Sequence, residues 1–259
     1  MGNSVPSVIN AGGKELKIRR VLKESSDGHV YKSEDSNGKE FALKLKRIAR
    51  DKNGSITDDD AAEKIAKEQQ ILKKLKSHPN IIALLDFGVT WEDTAVIYHI
   101  ITEYCPMNLS TLYDCPNFGE SEIMFVLRDV SLGLAHLHNQ KPPIAHRNVT
   151  LTNILLGADN RFKLCKFGFC SDRHRTFTSG DRSIAKNEIQ KHTDPYYRSP
   201  EQVDITSGKI VSEMVDIWAV GILLHKLSFK KTPFENSTGE IDQFAIERGF
   251  RAEQMPLSP

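Results

Sequence analysis

Several things are scarce in this 259-residue chain, and each scarcity removes a class of reading. There are four cysteines (Cys105, Cys115, Cys165 and Cys170), and no two stand in a C-x-x-C spacing, which argues against a zinc site. With no secretory signal at the start, they read as free thiols of a reducing, cytoplasmic setting rather than as disulfides. No apolar run approaches the roughly 18 residues that a membrane-spanning helix needs. The opening Met1-Gly2-Asn3-Ser4-Val5-Pro6 fails as a myristoylation signal, because Pro6 stands where Ser or Thr is required. A formal net charge of +1 gives no general pull toward nucleic acid or an anionic membrane. No internal repeat is visible. What is present is ordinary globular composition, 39% hydrophobic and 27% charged, in a chain long enough for one large domain or two small lobes.

Read in order, residues 1–14 are small and polar and look like a flexible tail. From Leu16 to Glu34 apolar residues alternate on either side of Ser25-Ser26-Asp27-Gly28, which predicts two strands joined by a turn. Ser36-Asn37-Gly38 then signals a hairpin into a strand over 39–46. Thr57-Asp58-Asp59-Asp60 supplies an N-cap and an acidic first turn for a helix reaching about Lys76. On that helix Ile65, Glu68 and Leu72 share one face, so a carboxylate sits inside an apolar stripe. Strand-like runs follow at 81–85 and 95–104. Beyond Tyr104 the periodicity turns helical, clearly at 121–139 and 215–227. Strands first and helices later predict an α+β protein with two lobes, 15–104 and 105–259.

Between the two clear helices lies Ala145-His146-Arg147-Asn148-Val149-Thr150-Leu151-Thr152-Asn153, and shortly after it Lys166-Phe167-Gly168. The first resembles the protein-kinase catalytic loop H-R-D-x-x-x-x-N and the second the metal-binding D-F-G. Ala42-Leu43-Lys44 resembles the strand-three lysine motif, Glu68 the helix glutamate that pairs with it, Ser199-Pro200-Glu201 the A-P-E motif, and Asp216-Ile217-Trp218 the start of D-x-W-x-x-G. Six such motifs in kinase order resemble a eukaryotic protein kinase over nearly the whole chain, implying a bilobal fold with a β-rich N-lobe and a mainly helical C-lobe. The stretches Leu137–Arg147, Glu188–Thr193 and Ser207–Val211 are similar to the Numb-associated kinases, the adaptor-associated and cyclin-G-associated group. That likeness implies protein partners, endocytic adaptors among them.

The resemblance also assigns roles. Lys44 would hold the α- and β-phosphates of ATP with Glu68 steadying it. Val30, Ala42 and Leu155 would sandwich the adenine, and Glu103 and Cys105 would offer backbone hydrogen bonds to it. Leu72, Leu84, His146 and Phe167 would form an apolar column. Asn153 would be the remaining candidate metal ligand. Yet Asn148 stands where the catalytic aspartate belongs, and an amide cannot accept a hydroxyl proton. Losing a general base typically costs roughly 10²- to 10⁴-fold. Thr150 replaces the catalytic-loop lysine, and Asp194 a threonine. Lys166 replaces a carboxylate that would bind Mg²⁺, and an ammonium repels that ion. Two outcomes stay open for Lys166: it neutralises phosphate and permits nucleotide binding without magnesium, or it bonds Glu68 or Asn153 and fills the pocket. In the glycine-rich loop Lys23 and Ser25 stand for two glycines, and only Gly28 remains. The expectation is a pseudokinase, a binding scaffold or nucleotide-responsive switch, with a weakly active Ser/Thr kinase as the alternative. Glu201 lacks a late arginine partner, so the C-lobe reads as truncated.

Overall fold

The computed structural model describes residues 8–11, 13–25, 27–176, 193–205, 207–236 and 238–248, together with residues 180, 183, 187 and 189. Its contacts divide the chain into two compact units, Met1–Met107 with Leu155–Gly168, and Asn108–Ile154 with Phe169–Pro259. The division expected at 104/105 therefore falls three residues later, and the segment carrying Lys166 belongs with the first unit.

The first unit is built on a six-stranded antiparallel sheet. Its strands are β1 (Val8–Ala11), β2 (Lys14–Ser25), β3 (Gly28–Glu34), β4 (Glu40–Ala49), β5 (Leu84–Trp91) and β6 (Ala95–Glu103), in the order β1-β2-β3-β4-β6-β5. The stretch read as a flexible tail thus contains a strand, with Ile9 opposite Leu16. Alternation along β4 sorts the faces. Phe41 and Leu43 turn to a core shared with Leu16 and Ile101, all nearly inaccessible to solvent. Ala42 and Lys44 turn the other way; their cross-strand neighbours are Lys32 and Val30 on β3 and Thr102 and Ile100 on β6. The pleat that fills the core therefore also places Val30, Ala42 and Lys44 on one surface.

Helix α1 (Asp59–Leu75) follows β4. Asp58 caps it by accepting the Ala61 N–H at 3.0 Å, and Asp59 and Asp60 complement the helix dipole. Ile65, Glu68, Ile71, Leu72 and Leu75 form its buried face. The strand expected at 81–85 begins only at Leu84. Ile81 and Ile82 are instead drawn to the late strand β9 (Phe162–Leu164), Ile82 donating to the Leu164 carbonyl at 2.9 Å. Two further short strands precede β9: β7 (Met107–Asn108) and β8 (Ile154–Leu156).

The second unit is mainly helical among its described residues: α2 (Leu109–Tyr113), α3 (Glu120–His138), α4 (Pro200–Val203), α5 (Met214–Phe229) and α6 (Gln243–Arg248). Helix α3 starts without a side-chain N-cap, but Glu122 Oε2 reaches back to the Gly119 N–H at 2.9 Å. Val126, Val130, Leu134 and Leu137 are its core stripe. Trp218 of α5 stacks on Phe234 with ring centroids 5.7 Å apart. Among the described residues no helix is long and apolar enough to cross a membrane.

Helix α5 also carries a fully buried carboxylate, Asp216. It accepts the backbone N–H groups of His146 at 2.6 Å and Arg147 at 2.7 Å, and lies 3.0 Å from His138 Nε2. Hydrogen bonds to a buried charge contribute about 1.5 to 3 kcal/mol each. Replacing Asp216 by Ala should therefore lower stability in urea unfolding by about 3 kcal/mol or more. A change under about 1 kcal/mol would show that the loop holds itself without this anchor.

Candidate functional site

The residues singled out in the sequence fall in both units, and each half is described by itself. In the first unit the Lys44 ammonium lies 2.5 Å from Glu68 Oε2, so β4 and α1 deliver the expected pair. Burial pulls the Lys44 pKa down, but the Glu68 charge and hydrogen bond outweigh it, and the net direction is upward. The stabilisation from this pair is therefore complete below the ordinary lysine pKa and is lost only as pH rises through the raised value.

Glu103 ends β6 and is tied on three sides. Its N–H donates to the Ala83 carbonyl at 3.1 Å, Oε1 accepts the Ala83 N–H at 2.8 Å, and Oε2 lies 3.2 Å from Lys163 Nζ. The Glu103 N–H is thus spent within the protein, and a backbone donor for adenine must come from elsewhere. Lys163 is only 5% exposed and also pairs with Asp159 at 3.1 Å, so two carboxylates offset the burial of its charge. This ion-pair cluster was not anticipated from the sequence.

Lys166 is the decisive position. Its backbone is left-handed, with φ 69°, a conformation that non-glycine residues adopt at a cost of roughly 1 to 2 kcal/mol. Its ammonium lies 3.5 Å from the carboxylate of Asp27, in the turn between β2 and β3. Asp27 was a partner that neither sequence alternative named. Next to Lys166, Phe167 is completely buried. Among the described residues no group of three or more His, Cys, Asp or Glu side chains could hold a metal ion. A lysine in place of the expected carboxylate makes this half a poor fit to Mg²⁺, whereas the ammonium groups of Lys44 and Lys166 suit a polyphosphate.

In the second unit the loop 146–153 is held by a set of hydrogen bonds to its own backbone. Besides the two bonds to Asp216, the Asn148 N–H donates to His146 Nδ1 at 3.3 Å, and Asn153 Nδ2 donates to the Asn148 carbonyl at 3.0 Å. Arg147 adopts φ 64°. Asn148, Thr150 and Asp194, three of the substituted positions, line one small cavity together with Arg147, Thr193 and Tyr197. Asp194 caps the short turn Pro195–Tyr197 by accepting the Tyr196 N–H at 3.0 Å. The replaced groups on this side do meet in space. The side chain that the loop carries at 148 is an amide, a group that cannot act as a general base.

Set against known proteins, the sequence pattern of the protein kinase domain matches residues 18–257, and the chain belongs to the protein kinase family. It is 32% identical over 246 residues to a "Probable serine/threonine-protein kinase" of Dictyostelium discoideum, covering 92% of this chain and 21% of that protein. It is 33% identical over 236 residues to serine/threonine-protein kinase ppk30 of Schizosaccharomyces pombe, covering 88% and 24%. It is 33% identical over 256 residues to serine/threonine-protein kinase AKL1 of Saccharomyces cerevisiae, covering 92% and 23%. The chain therefore spans about a quarter or less of the length of these three relatives.

Two thiols border the Lys44 half. Burial first, then the nearby carboxylates Glu103 and Glu68 respectively, push Cys105 and Cys165 up from 9.0 to about 12. That cuts the thiolate share at pH 8 roughly a thousandfold, and the thiolate is the nucleophile. Iodoacetamide at pH 8, followed by peptide mass spectrometry, should label exposed Cys115 at least about a hundredfold faster than either. Comparable rates at all three would refute the burial argument.

Proposed function

We propose that this chain is a pseudokinase domain: it keeps the nucleotide-facing framework of a Ser/Thr protein kinase, has lost efficient phosphoryl transfer, and acts as a nucleotide-responsive binding scaffold. The observation that carries the reading is the Lys166 ammonium, at the place of a magnesium-binding carboxylate and already paired with Asp27. Asn148 adds the loss of the base.

The residues divide the work as follows. Lys44, held by Glu68, binds the α- and β-phosphates; Lys166 offsets the negative charge of the terminal phosphate; Val30, Ala42 and Leu155 offer an apolar bed for adenine. When bound, ATP supplies a transferable phosphoryl group. Transfer needs stabilisation of the charge that develops and a group to take the acceptor's proton. An amide at 148 and a threonine at 150 supply neither a base nor a fixed positive charge.

At a finer level the chain reads as a Numb-associated-kinase-like domain at work in the cytoplasm, with protein partners of the clathrin-adaptor and membrane-traffic kind. This rests on analogy of sequence and not on a site. Another relative, 28% identical over 249 residues, is named actin-regulating kinase 1 of Saccharomyces cerevisiae, and a partner connected with actin fits the same reading. The near-neutral charge gives no support to nucleic-acid binding.

A thermal-shift titration with ATP, in EDTA and in Mg²⁺, paired with a radiolabelled transfer assay, tests the proposal. ATP should raise the melting temperature in EDTA, and transfer should match a Lys44→Met control. Transfer well above that control would establish the alternative, a weakly active Ser/Thr kinase. Absence of a shift in both buffers would remove the nucleotide and leave a scaffold alone.

A further inference from the structure

We propose that Asp27 is a built-in competitor for the terminal phosphates of a nucleoside triphosphate, a carboxylate latch on Lys166 that nucleotide must displace. The inference rests on the reading of the first unit as a nucleotide site that works without metal.

The latch begins with a turn that only glycine permits. Ser25 and Gly28 face each other where β2 hands over to β3, and Ser25 Oγ donates to the Gly28 carbonyl at 3.1 Å. Gly28 has φ 117°, and a Cβ there would lie 2.4 Å from the Leu45 carbonyl oxygen. The turn is therefore closed down on β4, the strand that carries Lys44. This brings Asp27 into the field of two lysines: its carboxylate is 3.5 Å from Lys166 Nζ, and its charge contributes to raising the Lys44 pKa.

The electrostatics single out Asp27 as the group that leaves. Lys23, Lys44 and Lys166 each exert a positive electrostatic influence on the Cys165 thiol. Two carboxylates oppose them. Glu68 is held at 2.5 Å by Lys44 and its side chain is only 10% exposed, so it stays. The Asp27 and Lys166 side chains are 26% and 31% exposed, and their 3.5 Å separation exceeds the 2.7–2.9 Å of a charge-assisted hydrogen bond. It is a loose, solvent-accessible pair of the kind that contributes little by itself and yields to a stronger anion. A triphosphate, with several negative charges and many acceptor oxygens, is such an anion. A monophosphate would not reach as far into this charge.

The test is a titration of the full chain with fluorescent ribose-labelled ATP, in EDTA and again in Mg²⁺, using wild type, Asp27→Asn, Lys166→Met and the double variant. Asp27→Ser serves as a second removal of the charge, and melting curves confirm that each variant is folded. The latch predicts that Asp27→Asn tightens ATP binding about fivefold, the upper range for an exposed ion pair. It also predicts that the gain vanishes in the Lys166→Met background, and that AMP affinity does not change. Equal affinity of wild type and Asp27→Asn would overturn the latch and leave the nucleotide reading standing. A gain that persists without Lys166 would overturn it too, as would Asp27→Asn weakening ATP only when Mg²⁺ is present, which would make Asp27 a metal ligand. If no variant binds ATP in either buffer, the nucleotide reading itself fails and the latch falls with it.

Discussion

The loop from His146 to Asn148 hangs on one buried carboxylate. Asp216 is fully enclosed within the second unit and accepts two backbone N–H groups from that loop. A buried charge tolerates such a place only when hydrogen bonds satisfy it, and here the satisfied partner is the loop backbone itself. Because the anchor grips main chain, it is indifferent to the side chain at 148. The shape of the loop therefore does not depend on which side chain stands at 148. Asn153, bonded back to the Asn148 carbonyl, closes the loop from the other side.

The first unit shows the same separation of architecture from chemistry. Lys44 and Glu68 form a short ion pair, and the sheet register sets Val30 and Ala42 on the same face as Lys44. By the proposed reading Lys166 replaces a metal-gathering carboxylate, and a carboxylate from a turn, that of Asp27, lies 3.5 Å from its ammonium. Phosphoryl transfer depends on a few charges placed around an even larger one. Changing the sign of one of them alters the chemistry far more than it alters the fold.

Most of the architecture was legible because it is written in periodicity and caps. The acidic N-cap run at 57–60, the Ile65–Glu68–Leu72 stripe and the Ser25–Gly28 turn each specify local geometry directly. The start of β5 was missed because Ile81 and Ile82 are apolar for another reason, their pairing with β9, more than 80 residues away. The strand at Val8–Ala11 was missed because four residues between small polar neighbours are too few to show a period, and their strand is defined only by pairing with β2. In the site, the Lys44–Glu68 pair could be foreseen from motifs, whereas Asp27 could not. An aspartate before glycine is ordinary turn chemistry, and nothing in its neighbours says that it faces a lysine 139 positions later. The Glu103–Lys163–Asp159 cluster was hidden likewise, since charged residues on strands read as solvent-facing until burial is known.

The central claim is that the framework of a kinase is intact and that transfer fails for want of a base and a metal ligand. Restoring both, as Asn148→Asp with Lys166→Asp, and measuring Mg²⁺-dependent transfer from radiolabelled ATP addresses it most directly. The account predicts a wild-type signal at the level of the Lys44→Met background and a double variant well above it, by roughly the 10²- to 10⁴-fold that a general base contributes. Wild-type transfer equal to that of the double variant would contradict it.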